Sequence, residues 1–354
     1  MKSCAHCGAG NVDDFSVCRE CGTELERVGA GESDGAGQLA ADAPEAILES
    51  LDLGFEFVEG FSHPDWKAIE KYIGARVLKE EWNDAYNWVA EKWLRQLADD
   101  LGGGARVEES ENFWCLSDAS EETTRRLMRW AEAALEQIRN CLGSAAWTGY
   151  YGKHVLLMFV DIDDYFAYIS YFYKEGSHAL TSGVFLARGY AHVALPFTEA
   201  HSCKRVLAHE LTHNLLGHLW LPLWLNEGLA VQIEHSMMHA GLAMDYELAE
   251  RHRGFWNEQN IQSFWAGRSY NTPGDANELS YSLGHILVTL LLGKGPDFIE
   301  FVKFADWRDA GQDAAVSILG CDLGEIAGGF LGPGNWRPQR KAIADLLSRR
   351  DGGS

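Results

Sequence analysis

Basic residues are scarce in this chain of 354 residues, where 30 Lys plus Arg stand against 52 Asp plus Glu and the formal net charge is −22. Without a basic patch there is no footprint for a phosphate backbone, so nucleic acid is not an expected partner. No apolar run approaches the roughly eighteen residues needed to span a bilayer, and no membrane span is expected. The opening MKSCAHCG lacks a charged stretch followed by an apolar one, as a secretory leader would have. A cytoplasmic chain with reduced thiols is the expectation. An EF-hand calcium loop is also excluded at the acidic run Asp161, Asp163 and Asp164, because Phe166 and Phe172 occupy the positions where that loop needs Gly and Glu, and these acids read as loop and helix-cap residues.

The most informative segment is AHELTHNLLGH (Ala208 to His218), which contains HExxH as His209, Glu210 and His213. A helix turns about 100° per residue, so two His four apart share a face and form a two-nitrogen chelate. Glu210, next to the first His, can sit beside a bound metal as a base for an attacking water. Val206, Leu207, Leu211, Leu215 and Leu216 surround the motif, so its polar groups are expected to be buried in a core or a cleft, where they need partners. A catalytic zinc needs a third protein ligand and an open position. Leu216 and Leu219 stand where the metzincin pattern needs Gly and His. Glu227 lies fourteen residues after His213, inside PLWLNEGLAVQIE, a helix expected to begin near Pro222, and is the candidate third ligand.

RVLAHELTH followed by LPLWLNEGLA resembles the gluzincins, specifically the peptidase-MA-like metallopeptidases related to thermolysin and aminopeptidase N. The resemblance covers roughly residues 111–332. It implies an α+β, zincin-like domain with a small mixed sheet, His209, His213 and Glu227 as zinc ligands, and Glu210 as general base. It also implies hydrolysis of a peptide or protein substrate. Thermolysin-like chains carry an Asp four residues after the ligand Glu, where this chain has Val231. Glu234, one further turn along, is either a substitute second carboxylate or a solvated helix residue. Gluzincins use a downstream Tyr or His at the oxyanion, and Tyr281 and His285 share a face of the apolar segment ELSYSLGHILVTLLLGKG. Tyr281 is the candidate for that role, with ordinary core packing as its other reading. The preceding strands lack the Glu that binds a free amine in the group's aminopeptidases, which favours an endopeptidase. A non-catalytic zinc-containing binding or regulatory protein is the alternative, and hydrolysis of other amides would keep the same chemistry.

At the N-terminus, Cys4, Cys7, Cys18 and Cys21 form two CxxC knuckles ten residues apart, resembling a zinc ribbon with four thiolates on a structural zinc. One catalytic and one structural zinc are thus expected. The ribbon is either a protein-docking tag or a stable appendage. Cys115, Cys141, Cys203 and Cys321 are scattered and read as buried small residues.

Composition divides the chain into a ribbon (1–27), a Gly-, Ala- and acid-rich flexible linker (28–44), a helical segment (45–104), the metallopeptidase-like domain (105–335) and a tail (336–354). Apolar residues from Trp66 to Leu101 recur at helical spacing up to three glycines. Strands are expected at Asn112 to Ser117, His154 to Val160, Gly183 to Ala187 and His192 to Phe197. Helices are expected at Ser120 to Leu142 and Asp163 to Lys174. The resemblance to gluzincins, in which an edge strand pairs with an extended peptide, implies that part for one of the last two strands.

Overall fold

The computed structural model describes residues 2–3, 10–11, 44–102, 104–147, 150–173, 182–238 and 246–348. The four ribbon cysteines and the expected linker up to residue 43 lie outside them. The described residues combine many helices with small sheets, as an α+β chain does. They divide into two compact units, Met1–Ala133 with Thr148–Asn214, and Ala134–Trp147 with Leu215–Ser354.

In the first unit, β1 (Lys2–Ser3) pairs antiparallel with β2 (Gly10–Asn11). Pro44, the last residue of the expected linker, opens α1 (Pro44–Glu49), where its fixed φ suits a first helical position. A hairpin of β3 (Glu56–Val58) and β4 (Phe61–His63) turns at Glu59 and Gly60, both at positive φ. The periodic stretch beyond it is not one helix. It breaks into α2 (Trp66–Arg76), capped by the Asp65 side chain, and α3 (Trp82–Leu101). Val77 is extended (φ −108°, ψ 133°), and the Trp82 indole N–H donates to the Val77 carbonyl at 3.1 Å, taking an acceptor the helix would otherwise use.

The sheet follows. β5 (Arg106–Glu109) and β6 (Phe113–Ser117) are antiparallel. The crossover helix α4 (Glu121–Leu142) then leads to β7 (His154–Phe159), parallel to β6 with Phe113 opposite His154. After α5 (Ile162–Ser170) come β8 (Val184–Leu186) and β9 (His192–Pro196), and the order across the sheet is β5-β6-β7-β9-β8. β7 and β9 are parallel, with Val155 opposite His192, whereas β8 runs antiparallel to β9. The central strands are buried almost throughout, as expected of apolar runs in parallel ladders, whereas no residue of the β5 edge is fully buried. Ile69, Ile73, Val89, Trp93 and Leu97 of the helices share one core with Leu116, Leu157, Phe159, Tyr165 and Tyr168. From β9 the chain enters α6 (Ala200–Leu216).

The second unit takes the last turns of α4 and the helices α7 (Leu223–Met237), α8 (Tyr246–Phe255), α9 (Ile261–Trp265), α10 (Asp275–Leu292), α11 (Asp297–Phe304), α12 (Gln312–Ile318), α13 (Leu323–Leu331) and α14 (Arg340–Ser348). α7 lies along α10 at Gly228, where an added Cβ would stand 2.5 Å from the Gly284 carbonyl oxygen. Buried indoles tie the rest together: Trp224 Nε1 donates to Ala310 O at 3.0 Å, and Trp265 Nε1 to Trp336 O at 2.8 Å. Gln262 donates to Arg337 O and accepts from Gln339 N, so residues 336–339 are pinned to α9. Among the described residues, no single helix is long and apolar enough to cross a membrane.

Candidate metal centre

α6 carries HExxH in its second half. Leu207, Ala208, Leu211, Leu215 and Leu216 are buried, which fixes the rotation of the helix, while His209, Glu210 and His213 are half-buried on another face. The two imidazoles lie with ring centroids 4.8 Å apart, as i, i+4 spacing requires. Thr212, buried within the motif, satisfies its hydroxyl on the Ala208 carbonyl at 2.8 Å. Asn214 is also buried, and its Oδ1 lies 2.9 Å from His154 Nδ1 at the start of β7, a polar tie between α6 and the sheet. Behind that tie sits Glu132. Burial pushes its carboxyl up, but hydrogen bonds from the Asn112 N–H, the Ser110 hydroxyl and the Asn112 amide, with His154 nearby, outweigh burial and hold it below the ordinary carboxylate range.

Glu210 has a partner that nothing in its motif announces. The Phe185 N–H of β8 donates to Glu210 Oε2 at 2.8 Å.

Glu227 is half-buried on α7, immediately before Gly228. The Gly228–Gly284 approach draws α10 in at this point, and Gly284 also accommodates the Tyr270 hydroxyl, which an added Cβ would meet at 2.7 Å. Tyr270 is buried and donates to the Ser280 carbonyl at 2.9 Å. Burial, then the Glu227 charge, then Tyr281 push its phenol well above the ordinary value. Tyr281 packs edge-on to it with ring centroids 5.0 Å apart. Tyr270 thus stands beside both Glu227 and Tyr281. His285, one turn beyond Tyr281, is buried, with its Nε2 3.0 Å from Gln232 Oε1 and its ring 4.5 Å from that of His235. Burial and then His235 hold its pKa at about 4, so at neutral pH it is an uncharged, hydrogen-bonded ring. The Glu234 charge also bears on His285.

One ligand atom each from His209, His213 and Glu227 lies within 4.8 Å of the others, the one such cluster of three or more among the described residues. Two imidazole nitrogens and a carboxylate oxygen are a donor set that suits zinc with a position left open. All three side chains are half-buried, neither sealed in apolar packing nor out in solvent. The residues present therefore fit a metal ion.

No known protein family and no curated protein matches the chain. The site stands on its own chemistry.

Sequence reasoning points to His209, Glu210, His213, Glu227 and Tyr281. The structure clusters the three candidate ligands and places Tyr281 against Tyr270, which senses the Glu227 charge. Cys4, Cys7, Cys18 and Cys21 lie outside the described residues. Sequence reasoning missed Phe185, which bonds Glu210 through its backbone and so leaves no trace in residue type. It also missed Tyr270, in a short 3-10 turn with no helical period to flag it, and the His154–Asn214 tie. Asn214, a buried amide one residue after HExxH, is the one signal that could have raised that question.

Proposed function

We propose that this protein is a zinc-dependent peptidase of zincin-like, gluzincin type, acting on a peptide or protein substrate and more suited to internal than to amino-terminal cleavage. The observation that carries the reading is the clustering of His209, His213 and Glu227 beside a Glu in HExxH spacing. His209, His213 and Glu227 would hold the ion. A zinc ion there supplies Lewis acidity toward a water molecule and a carbonyl oxygen. Glu210 takes a proton from the attacking water and returns it to the departing amine nitrogen, so one carboxylate serves as base and then as acid. Tyr281 donates its phenol hydrogen to the carbonyl oxygen as negative charge builds there, and the Tyr270 ring packed against it restrains the rotation of the phenol. Cys4, Cys7, Cys18 and Cys21 would hold a second, structural zinc in a cytoplasmic chain, and the ribbon would dock a protein partner.

Glu210→Gln keeps the shape of the side chain and removes its basicity. Assayed with zinc on a diverse fluorogenic peptide library, the variant is expected to lose turnover while keeping the zinc content of the wild type. Full turnover in Glu210→Gln contradicts the mechanism. Failure of the zinc-loaded wild type to cleave any library member contradicts the peptidase reading.

A further inference from the structure

Among the described residues β8 is an edge strand, hydrogen-bonded to β9 alone in its sheet. In an antiparallel pair, the N–H and C=O of one residue point to the same side, alternately toward and away from the neighbouring strand. Phe185 stands opposite Val193, between the Val184–Ala194 and Leu186–His192 pairs. Its N–H reaches Glu210 Oε2 at 2.8 Å, so this amide faces away from β9, and its carbonyl faces the same way. On a strand of three residues, Phe185 holds the one outward N–H. The approach that makes this bond possible is written into Gly183, where a Cβ would stand 2.4 Å from Val206 Cγ1. Val206 lies three residues before His209 on α6, so β8 begins against the same helix that carries Glu210.

We propose that, with Glu210 as the general base of the reading above, Phe185 is its positioning residue: the backbone N–H holds Oε2 and leaves Oε1 to exchange the proton. A donor fixed in a strand needs no reorganisation when the reaction occurs, whereas a side-chain donor could rotate away. The same geometry limits how a peptide meets this edge. An extended substrate laid along β8 finds the Phe185 carbonyl as an acceptor but finds the N–H already engaged, so β8 does not offer the reciprocal pair of bonds of an ordinary added strand.

Two measurements on the full chain test this. The first is amide hydrogen exchange at Phe185 in zinc-loaded protein labelled with 15N-phenylalanine. Exchange is expected to be at least about tenfold faster in Glu210→Ala than in the wild type, because an outward amide on an edge strand is otherwise open to water. Equal rates overturn the proposal, whether or not the protein cleaves peptides. The second compares Phe185→Pro, which deletes the N–H, with Phe185→Leu, which keeps it. Proline at an outward edge position removes no ladder bond. On the fluorogenic library, kcat is expected to be at least about tenfold lower in Phe185→Pro than in Phe185→Leu, at similar KM and equal zinc content. Equal kcat values overturn the proposal. If the wild type cleaves nothing or Phe185→Pro does not fold, the exchange measurement alone decides.

Discussion

Tyr281 and Tyr270 form one edge-on aromatic pair. Tyr270 is anchored to the Ser280 carbonyl and buried, so its ring is fixed, and Tyr281 rests edge-on against it while remaining half-exposed. If Tyr281 supplies the oxyanion donor, Tyr281→Phe keeps the packing and lowers kcat by about 100-fold with little change in unfolding free energy. An unchanged kcat returns Tyr281 to a packing role. Tyr270→Phe has the opposite profile. It removes a buried hydrogen bond to the Ser280 carbonyl, so chemical denaturation should show a loss of about 0.5–1.5 kcal/mol. At this scale the sequence was legible where spacing encodes geometry: His209 and His213 on one helical face, Glu227 on the next helix. It was silent where the working group is a main-chain amide, as at Phe185, or where a residue such as Tyr270 sits in a turn without periodicity.

Helices α7 and α10 meet through glycine. An alanine in place of glycine within a helix ordinarily gains up to about 1 kcal/mol of propensity. At Gly228 the added methyl meets a backbone carbonyl at 2.5 Å, which cannot rotate aside. Gly228→Ala is therefore expected to destabilise the protein by about 1–3 kcal/mol, read by urea unfolding. A gain in stability instead would mean that the helices do not approach this closely. Because Glu227 precedes Gly228, the same variant should weaken zinc retention. The other elements were legible in proportion to their periodicity. β6, β7 and β9 appear in the sequence as short apolar runs, and α4, α7 and α10 as amphipathic or apolar helical stretches with recognisable ends. The break between α2 and α3 was not legible, because Trp82 keeps the helical spacing of the stripe while its indole caps Val77. The β3–β4 hairpin was missed for a related reason: β3 is largely exposed and carries little apolar alternation.

At the scale of the molecule, the two units interleave along the chain, with Ala134–Trp147 joining the later half. Composition shifts follow the chain in order, so they cannot register a segment that leaves one unit for the other. The first unit carries a pH dependence of its own. His192 is buried, bonded to the Tyr168 hydroxyl at 2.8 Å and to the Tyr190 carbonyl at 2.6 Å, and burial above all holds its pKa down to about 4. His63, stacked on Tyr171 at 3.7 Å, is likewise held to about 4 by burial and then by Arg188. Both are neutral when folded, whereas in the unfolded chain each takes up a proton near pH 6.5. The stability they permit is complete above that value and falls as pH drops toward about 4, by up to about 3 kcal/mol for His192 alone. Urea midpoints measured between pH 7 and pH 4.5 should fall steadily, and His63→Phe should flatten the slope. An identical slope in that variant would exclude His63 from the effect.

The measurement that bears most directly on the central claim is zinc content per chain by elemental analysis, on the wild type and on a His209→Ala, His213→Ala double variant. The account predicts two zinc ions in the wild type, one at His209, His213 and Glu227 and one at the four N-terminal cysteines, falling to one in the variant. The same zinc content in both proteins would contradict it.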